Sequence, residues 1–186
     1  GRPWETGVIR EDRFTIDQLL SGWANTFSLP RVLSLHPSGD RLQQQPAPEL
    51  RVLRGQSLKK YYLDIEPGKS GYFDEFHALS FELRTLVDMG DASVFGVTLR
   101  KTPDGQEQTR VFFSKFANRV TVARGQSSLA GSVGKWDVIG DHELNPGENL
   151  DMRIFVDRSI IEIFLNNRTT LTTRIYPTRW DSTGID

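Results

Sequence analysis

The chain has 186 residues, with 23 Lys and Arg against 24 Asp and Glu, a net charge of −1 and no cysteine. That length suits one domain, or a domain with a short arm, and it can bury a core without metals or disulfides. The near-neutral balance offers no basic field for nucleic acid or a membrane surface, and the missing thiols exclude disulfides, thiolate nucleophiles and Cys-type zinc sites.

Residues 1–24, "GRPWETGVIREDRFTIDQLLSGWA", read as an N-terminal arm, and residues 25–186 as the main module. Within the arm "TIDQLL" predicts one short helix, with Thr15 as cap, Gln18 in capping-box spacing and Gly22 as stop. No apolar run in the chain reaches the roughly 18–20 residues of a membrane helix, and no signal peptide is visible at Gly1.

From Phe27 onward the pattern is strand-like. "SLKKYYLDI", "HALSFELRTL", "SVFGVTLRK", "TRVFFSKF", "RVTVAR", "LDMRIFVD", "SIIEIFLN" and "TLTTRIYP" are short runs rich in β-branched and aromatic residues. Period-two alternation is clear at Leu79, Phe81 and Leu83, at Val120 and Val122, and at Met152, Ile154 and Val156. Turn residues separate the runs: "TPDGQ" at 102–106, "NPGEN" at 145–149, "DRS" at 157–159 and "NNR" at 166–168. About ten strands without crossover helices predict an all-β fold, a two-sheet antiparallel β-sandwich of jelly-roll or concanavalin-like type. No repeat of 20–50 residues is present, which argues against a propeller within this chain.

The chemistry-bearing residues are few. His36, His77 and His142 are far apart in sequence and form no metal-binding motif, so neither a metal nor a cofactor is expected. Asp74 and Glu75 are neighbours, which on a strand point to opposite faces and in a turn are solvated. In "SIIEIFLN", Ile161, Ile163 and Leu165 form one face; Glu162 lies between Ile160 and Phe164 on the other. Glu162 reads as a partly buried ion-pair partner of an arginine on a neighbouring strand, with a catalytic role as the alternative. Among the tryptophans, Trp136 and Trp180 sit in loop-like settings and are candidate sugar platforms; plugging a sheet edge or an interface is the competing role. Asn167–Thr169 is a glycosylation sequon in a predicted hairpin turn.

Two longer motifs narrow the reading. "GWANTFSLPRVLSLHPSGDRLQQQPAPELRVLR", residues 22–54 with Pro30 and Arg31, resembles the junction in glycoside hydrolase family 32 where the last propeller blade enters the C-terminal β-sandwich. "RIFVDRSIIEIFLNNRTTLTTRIYP", residues 153–177, is similar to that family's D-R-S-x-x-E-x-F-x-N hairpin and R-x-Y-P strand, and "VTLRKTPDGQEQT" fits its central hairpin more loosely. The resemblance implies a parent that cleaves or transfers β-fructosyl groups in levan, inulin or sucrose, in a secreted or cell-surface setting. It assigns Asp157, Arg158 and Glu162 to a structural motif outside the catalytic pocket. The family's catalytic residues lie in a propeller, in motifs absent from this chain. So none carries over, and the expected partner is that catalytic propeller, as domain or chain, with no nucleic acid and no membrane.

Two departures accompany the match. "VARGQSS" at 122–128 stands where the family has D-R-S, and the family's sandwich runs one strand past "YPTRWDSTGI", so an open sheet edge is expected. The leading expectation is a non-catalytic sandwich that docks on the propeller through an apolar patch near residues 22–35. The rivals are a fructan-binding module using Trp136 or Trp180, and an enzyme with an unrecognised carboxylate pair.

Overall fold

The computed structural model describes residues 3–37 and 39–186. The arm holds strands β1 (Trp4–Glu5) and β2 (Val8–Ile9) and helix α1 (Thr15–Ser21). Then come β3 (Thr26–Phe27), β4 (Arg31–Leu35), β5 (Leu42–Pro46) and a 3-10 turn over Pro48–Leu53. The remaining strands are β6 (Ser80–Val87), β7 (Val94–Lys101), β8 (Thr109–Ser114), β9 (Arg119–Ala123), β10 (Val138–Asp141), β11 (Leu150–Asp157), β12 (Ile160–Leu165), β13 (Thr169–Arg174) and β14 (Gly184–Ile185).

Strands β6–β14 form two antiparallel sheets, ordered β10-β9-β8-β7-β14 and β13-β12-β11-β6. Their facing sides interdigitate. Leu99, Val111, Phe113, Val120 and Val122 come from one sheet and Met152, Ile154, Ile161, Ile163 and Leu165 from the other, all fully buried in one cluster. The alternation seen in the sequence is the inner face of this sandwich. The polar breaks become tight turns in which Gly105, Gly147, Arg158, Asn166 and Asn167 take positive φ. Asn167 of the sequon sits in the β12–β13 turn.

Residues 3–46 build two smaller sheets, β1-β4-β5 and β2-β3, in which arm strands pair with strands from residues 26–46. Residues 31–54 lie against the outer face of the four-stranded sheet: Arg31 bonds to Thr170 and Thr172, and Arg54 to Glu82.

Two expectations are corrected, and one strand is added. Helix α1 forms, but its cap is Phe14 rather than Thr15, with no side-chain cap bond; the Gln18 amide donates instead to the Arg13 carbonyl. "SLKKYYLDI" is not a strand. Its composition favours a strand, but no strand among the described residues pairs with its backbone, and Tyr61 and Tyr62 stand in solvent. Strand β10, absent from the sequence reading, closes one side by pairing with β9. It is only four residues long, and a glycine interrupts its pattern.

A Cβ on Gly96, on strand β7, would lie 2.8 Å from Phe112 Cβ and 2.9 Å from the Val111 carbonyl. Backbone on a paired strand has no cheap way to move. Gly96→Ala should therefore lower stability by about 1–3 kcal/mol, the range for overpacking, read as a lower urea midpoint at unchanged m-value.

Candidate functional site

Glu162 lies on the outer face of the four-stranded sheet. Register places Glu82, Phe155, Glu162 and Thr172 in one row across β6, β11, β12 and β13. A strand's outer face ordinarily meets water, yet Glu162 is 2% exposed. The segment entering β4 covers it. Leu29 N–H donates to Oε1 at 2.6 Å, Arg31 Nη2 to Oε2 at 2.8 Å, and the Thr172 hydroxyl to Oε2 at 3.4 Å. Arg31 also reaches Gln44 and Thr170 and lies over the Phe164 ring at 5.3 Å. Its neighbour Pro30 accepts a bond from Ala47 N–H at 2.8 Å. Glu82, in the same row, accepts from Arg153 at 2.7 Å and Arg54 at 2.8 Å. This row of two acids thus holds arginines from residues 31–54 against the sandwich. Both Glu162 oxygens are engaged and enclosed, so the residue presents no free carboxylate to a substrate.

A second contact fixes the arm. Glu11 accepts from Arg13 Nε at 2.6 Å, Arg174 Nη2 at 2.8 Å and the Tyr176 hydroxyl at 3.1 Å. The guanidinium of Arg13 lies 4.5 Å from the Trp23 ring and that of Arg174 lies 5.0 Å from it. Beside it, Arg124 Nη1 bridges Asp12 at 3.0 Å and the Arg174 carbonyl at 2.7 Å. Arg13, Asp12 and Trp23 belong to the arm, while Arg124, Arg174 and Tyr176 belong to the sandwich.

A third buried acid, Glu107, holds the segment after β13. It accepts from Leu129, Thr178 and Arg179 N–H and from the Thr178 and Ser182 hydroxyls, at 2.6–3.0 Å. Burial pushes its pKa up, but the bonds from Ser182, Thr178 and Arg179 outweigh that and hold it at about 2. His142, buried between Thr169 and Asn166, is shifted the opposite way. Burial, aided by the Arg168 charge, lowers its pKa to about 4 and keeps the ring neutral. Glu148 is held at about 2 chiefly by its bond from Arg168.

The remaining sequence candidates are scattered. Asp157 accepts from the Ser80 hydroxyl at 2.8 Å at the end of β11. Arg158 occupies the turn at φ 51°, its carbonyl accepting from Arg100. Glu75 lies in a turn and pairs with Lys60 at 2.7 Å. Trp136 and Trp180 are 82% and 89% exposed, and neither lines either of two clefts, of about 440 and 400 Å³, that run between the arm and the sandwich. Sequence reasoning missed Glu11, Arg124, Arg174 and Glu107. Each stands in a polar, unpatterned stretch or on a strand where nothing local marks it, and its partners are distant in sequence.

A two-sheet sandwich whose buried acids accept structural bonds defines a binding or scaffolding module rather than a reaction centre. The chain belongs to glycosyl hydrolases family 32, whose C-terminal domain family matches residues 49–186. Among similar proteins, the insoluble isoenzyme 1 of beta-fructofuranosidase from Oryza sativa subsp. japonica is 27% identical over 206 residues, covering 89% of this chain and 35% of that protein. Levanase of Bacillus subtilis (strain 168) is 29% identical over 202 residues, covering 97% of this chain and 27% of that protein. Fructan 1-exohydrolase IIa from Cichorium intybus shares the fold at a TM-score of 0.81 and 20% identity, over 95% of this chain and 40% of that one. The chain spans about a third of the length of the curated relatives it matches. It is the non-catalytic sandwich of its family, and the catalytic propeller lies outside it.

Two outcomes follow. Glu162→Ala leaves the Arg31 guanidinium without its carboxylate and the Leu29 N–H without its acceptor. It should cost about 3–5 kcal/mol in urea unfolding, the range for breaking a buried ion pair by removing one partner; a loss below about 0.5 kcal/mol would contradict the clamp. The second concerns pH. The native His142 ring resists protonation, so unfolded chains bind the extra proton below about pH 6.5 and stability falls as pH drops from there towards about 4. The depressed pKa values of Glu107 and Glu148 extend the loss further, from about 4.5 towards about 2. In His142→Gln the upper part of this decline should flatten and the lower part persist, as read from urea midpoints across that range.

Proposed function

We propose that this sandwich is the docking and stabilising module of an enzyme acting on β-fructosides such as levan, inulin or sucrose, and that its partner is that enzyme's catalytic propeller. One observation carries the reading: the arm is bonded to the sandwich yet leaves a broad apolar surface uncovered. Helix α1 buries no residue; Ile16, Leu19 and Leu20 are 58%, 72% and 80% exposed. A seven-residue helix is too short to persist on its own hydrogen bonds, so it needs a covering partner. Trp4, Trp23, Phe27, Leu35 and Leu42 are exposed as well. Trp23, Phe27 and Leu35 fall in the stretch expected from sequence, residues 22–35, and the others lie in β1 and β5. Patches of this kind mark protein contacts. In this reading the arm and the β3–β5 segment act as one linking layer, and the sandwich of β6–β14 supports it.

A second reading keeps Trp136 and Trp180 as fructan contacts. Both rings stand in solvent while their backbones are held, Trp136 by Arg124 Nε at its carbonyl and Trp180 beside the Glu107-bound Arg179. Exposed indoles on a held backbone suit stacking on sugar C–H faces.

The purified chain should release no fructose from sucrose, inulin or levan. It should bind the separately produced propeller of its own full-length protein, and Leu19→Glu with Leu20→Glu should weaken that complex at least tenfold without changing the sandwich's own urea midpoint. Fructose release that one Asp or Glu substitution abolishes would refute the non-catalytic claim. Equal propeller affinity in the charged variant would refute the docking surface. For the second reading, Trp136→Ala and Trp180→Ala must reduce retention on levan or inulin; unchanged retention in both removes it.

A further inference from the structure

The smaller of the two clefts, about 400 Å³, borders the turn between β11 and β12. The arm lines it with Arg13 and Asp17, and the sandwich with Arg100, Ser132, Arg158 and Ser159. Leu79, Val133 and Pro177 add apolar wall. Sites for small molecules occupy about 300–1,000 Å³, so the space suits a small guest.

Two side chains of the D-R-S turn have no role in the fold described above. Asp157 is tied to Ser80, but the Arg158 guanidinium and the Ser159 hydroxyl have no ion-pair or hydrogen-bond partner among the described residues. Arg158 is exposed and Ser159 half-buried. The Ser132 hydroxyl across the cleft is unpartnered too, and neither serine oxygen is sealed from solvent.

Arg100 enters the same cleft from β7. Gly184 faces Lys101 and Ile185 faces Leu99, so Arg100 is the extra residue of a bulge, at φ 52°. Bulges re-aim side chains and gather beside functional sites. Arg100 is 5% exposed and has no carboxylate partner; Nε donates to the Ser182 carbonyl and Nη1 to the Arg158 carbonyl at 2.6 Å. Nη2 has no bond, yet unlike Nε and Nη1 of Arg174 it keeps access to solvent. Arg100 lines this cleft and not the larger one. Burial lowers its pKa, the Glu107 charge opposes that, and the like charge of Arg158 adds to it. An anion between the two guanidinium groups would offset both the burial and the repulsion.

The free groups are mostly donors. Arg13 spends its bonds on Glu11, Ser21 and the Trp23 carbonyl, and Glu11 also serves Arg174. That leaves Arg100 and Arg158, with two serine hydroxyls, against the single acid Asp17. Guanidinium groups hold carboxylates in planar, paired hydrogen bonds. The apolar wall suits the carbon stem that a carboxylate carries and an inorganic oxyanion lacks.

We infer that this cleft binds a carboxylate, held by Arg100 and Arg158 with the Ser132 and Ser159 hydroxyls. Its source is a small organic acid or an acidic side chain of the docked propeller. The second source rests on the function proposed above; the carboxylate chemistry does not.

The test is an NMR titration of the isotope-labelled 186-residue chain at constant ionic strength, including the arginine Nε signals. The probes are sodium butyrate, sodium sulfate, sodium chloride and sucrose. Butyrate should give saturable shifts in about the millimolar range at the amides of residues 132–133 and 158–159 and at Arg100 Nε, and chloride and sucrose none. Arg158→Gln should weaken butyrate binding at least tenfold, the effect of losing one charge-assisted hydrogen bond. Its side chain makes no contact on which the fold depends, and an unchanged urea midpoint checks this. Arg10→Gln removes an exposed cation that lines the larger cleft instead, and should leave the affinity unchanged. A flat butyrate titration would overturn the inference, as would equal affinity in Arg158→Gln or an equal loss in Arg10→Gln. Tighter binding of sulfate than of butyrate would overturn the carboxylate assignment in favour of an inorganic anion. Repeating the titration on the complex with the propeller separates the two sources. Butyrate shifts lost in an intact complex assign the site to a propeller acid, and shifts that persist assign it to a small acid. A chain that binds butyrate but no propeller keeps this site and loses the docking reading; the reverse result loses this site alone.

Discussion

The enclosed carboxylate of Glu162 is the constraint around which the rest of the chain is arranged. An ionised acid taken out of water is tolerable only when donors replace its hydration. Here the replacements are the Leu29 N–H, the Arg31 guanidinium and the Thr172 hydroxyl. Two of the three come from a segment more than 130 residues away in sequence. The four-stranded sheet thereby packs on the core with one face and is partly covered on the other by the segment around Leu29 and Arg31 and by Arg54. Hydrogen bonds tolerate only a few tenths of an ångström of drift, so the clamp fixes where the linking layer lies and where the arm begins.

The other buried acids act in the same way. Glu11 gathers Arg13, Arg174 and Tyr176, and Glu107 gathers the chain from Thr178 to Ser182. Glu107 stays ionised far below neutral pH. Carboxylates that would suggest chemistry in a sequence prove to be fasteners joining distant strands. Together they make the sandwich a rigid base from which an apolar layer is presented outward.

The sandwich was legible because its determinants are local. Alternation at Met152, Ile154 and Val156 is the inner face of β11, and "TPDGQ" and "NNR" supply backbone that a hairpin requires. The oddity of Glu162 was legible too, as an acid flanked by Ile160 and Phe164, and its arginine partner was foreseeable in kind. Arg31 itself was not singled out as that partner, since pairing across 131 residues leaves no local trace. "SLKKYYLDI" failed for a related reason: composition reports a willingness to form a strand, while a strand also needs a neighbour to bond. The Arg174 and Glu11 contact was invisible because both residues look like ordinary surface charges until the fold brings Trp23 and Tyr176 around them.

The most direct measurement of the clamp is amide hydrogen exchange at Leu29. If its N–H is held by buried Glu162, it should exchange slowly in the unsubstituted chain. In Glu162→Gln it should lose most of that protection, while Ile154 and Ile163 in the core keep theirs. If Leu29 in the unsubstituted chain exchanges as freely as the unpaired stretch from Ser57 to Ile65, the linking layer is not fastened to the sheet, and the arrangement built on Glu162 is wrong.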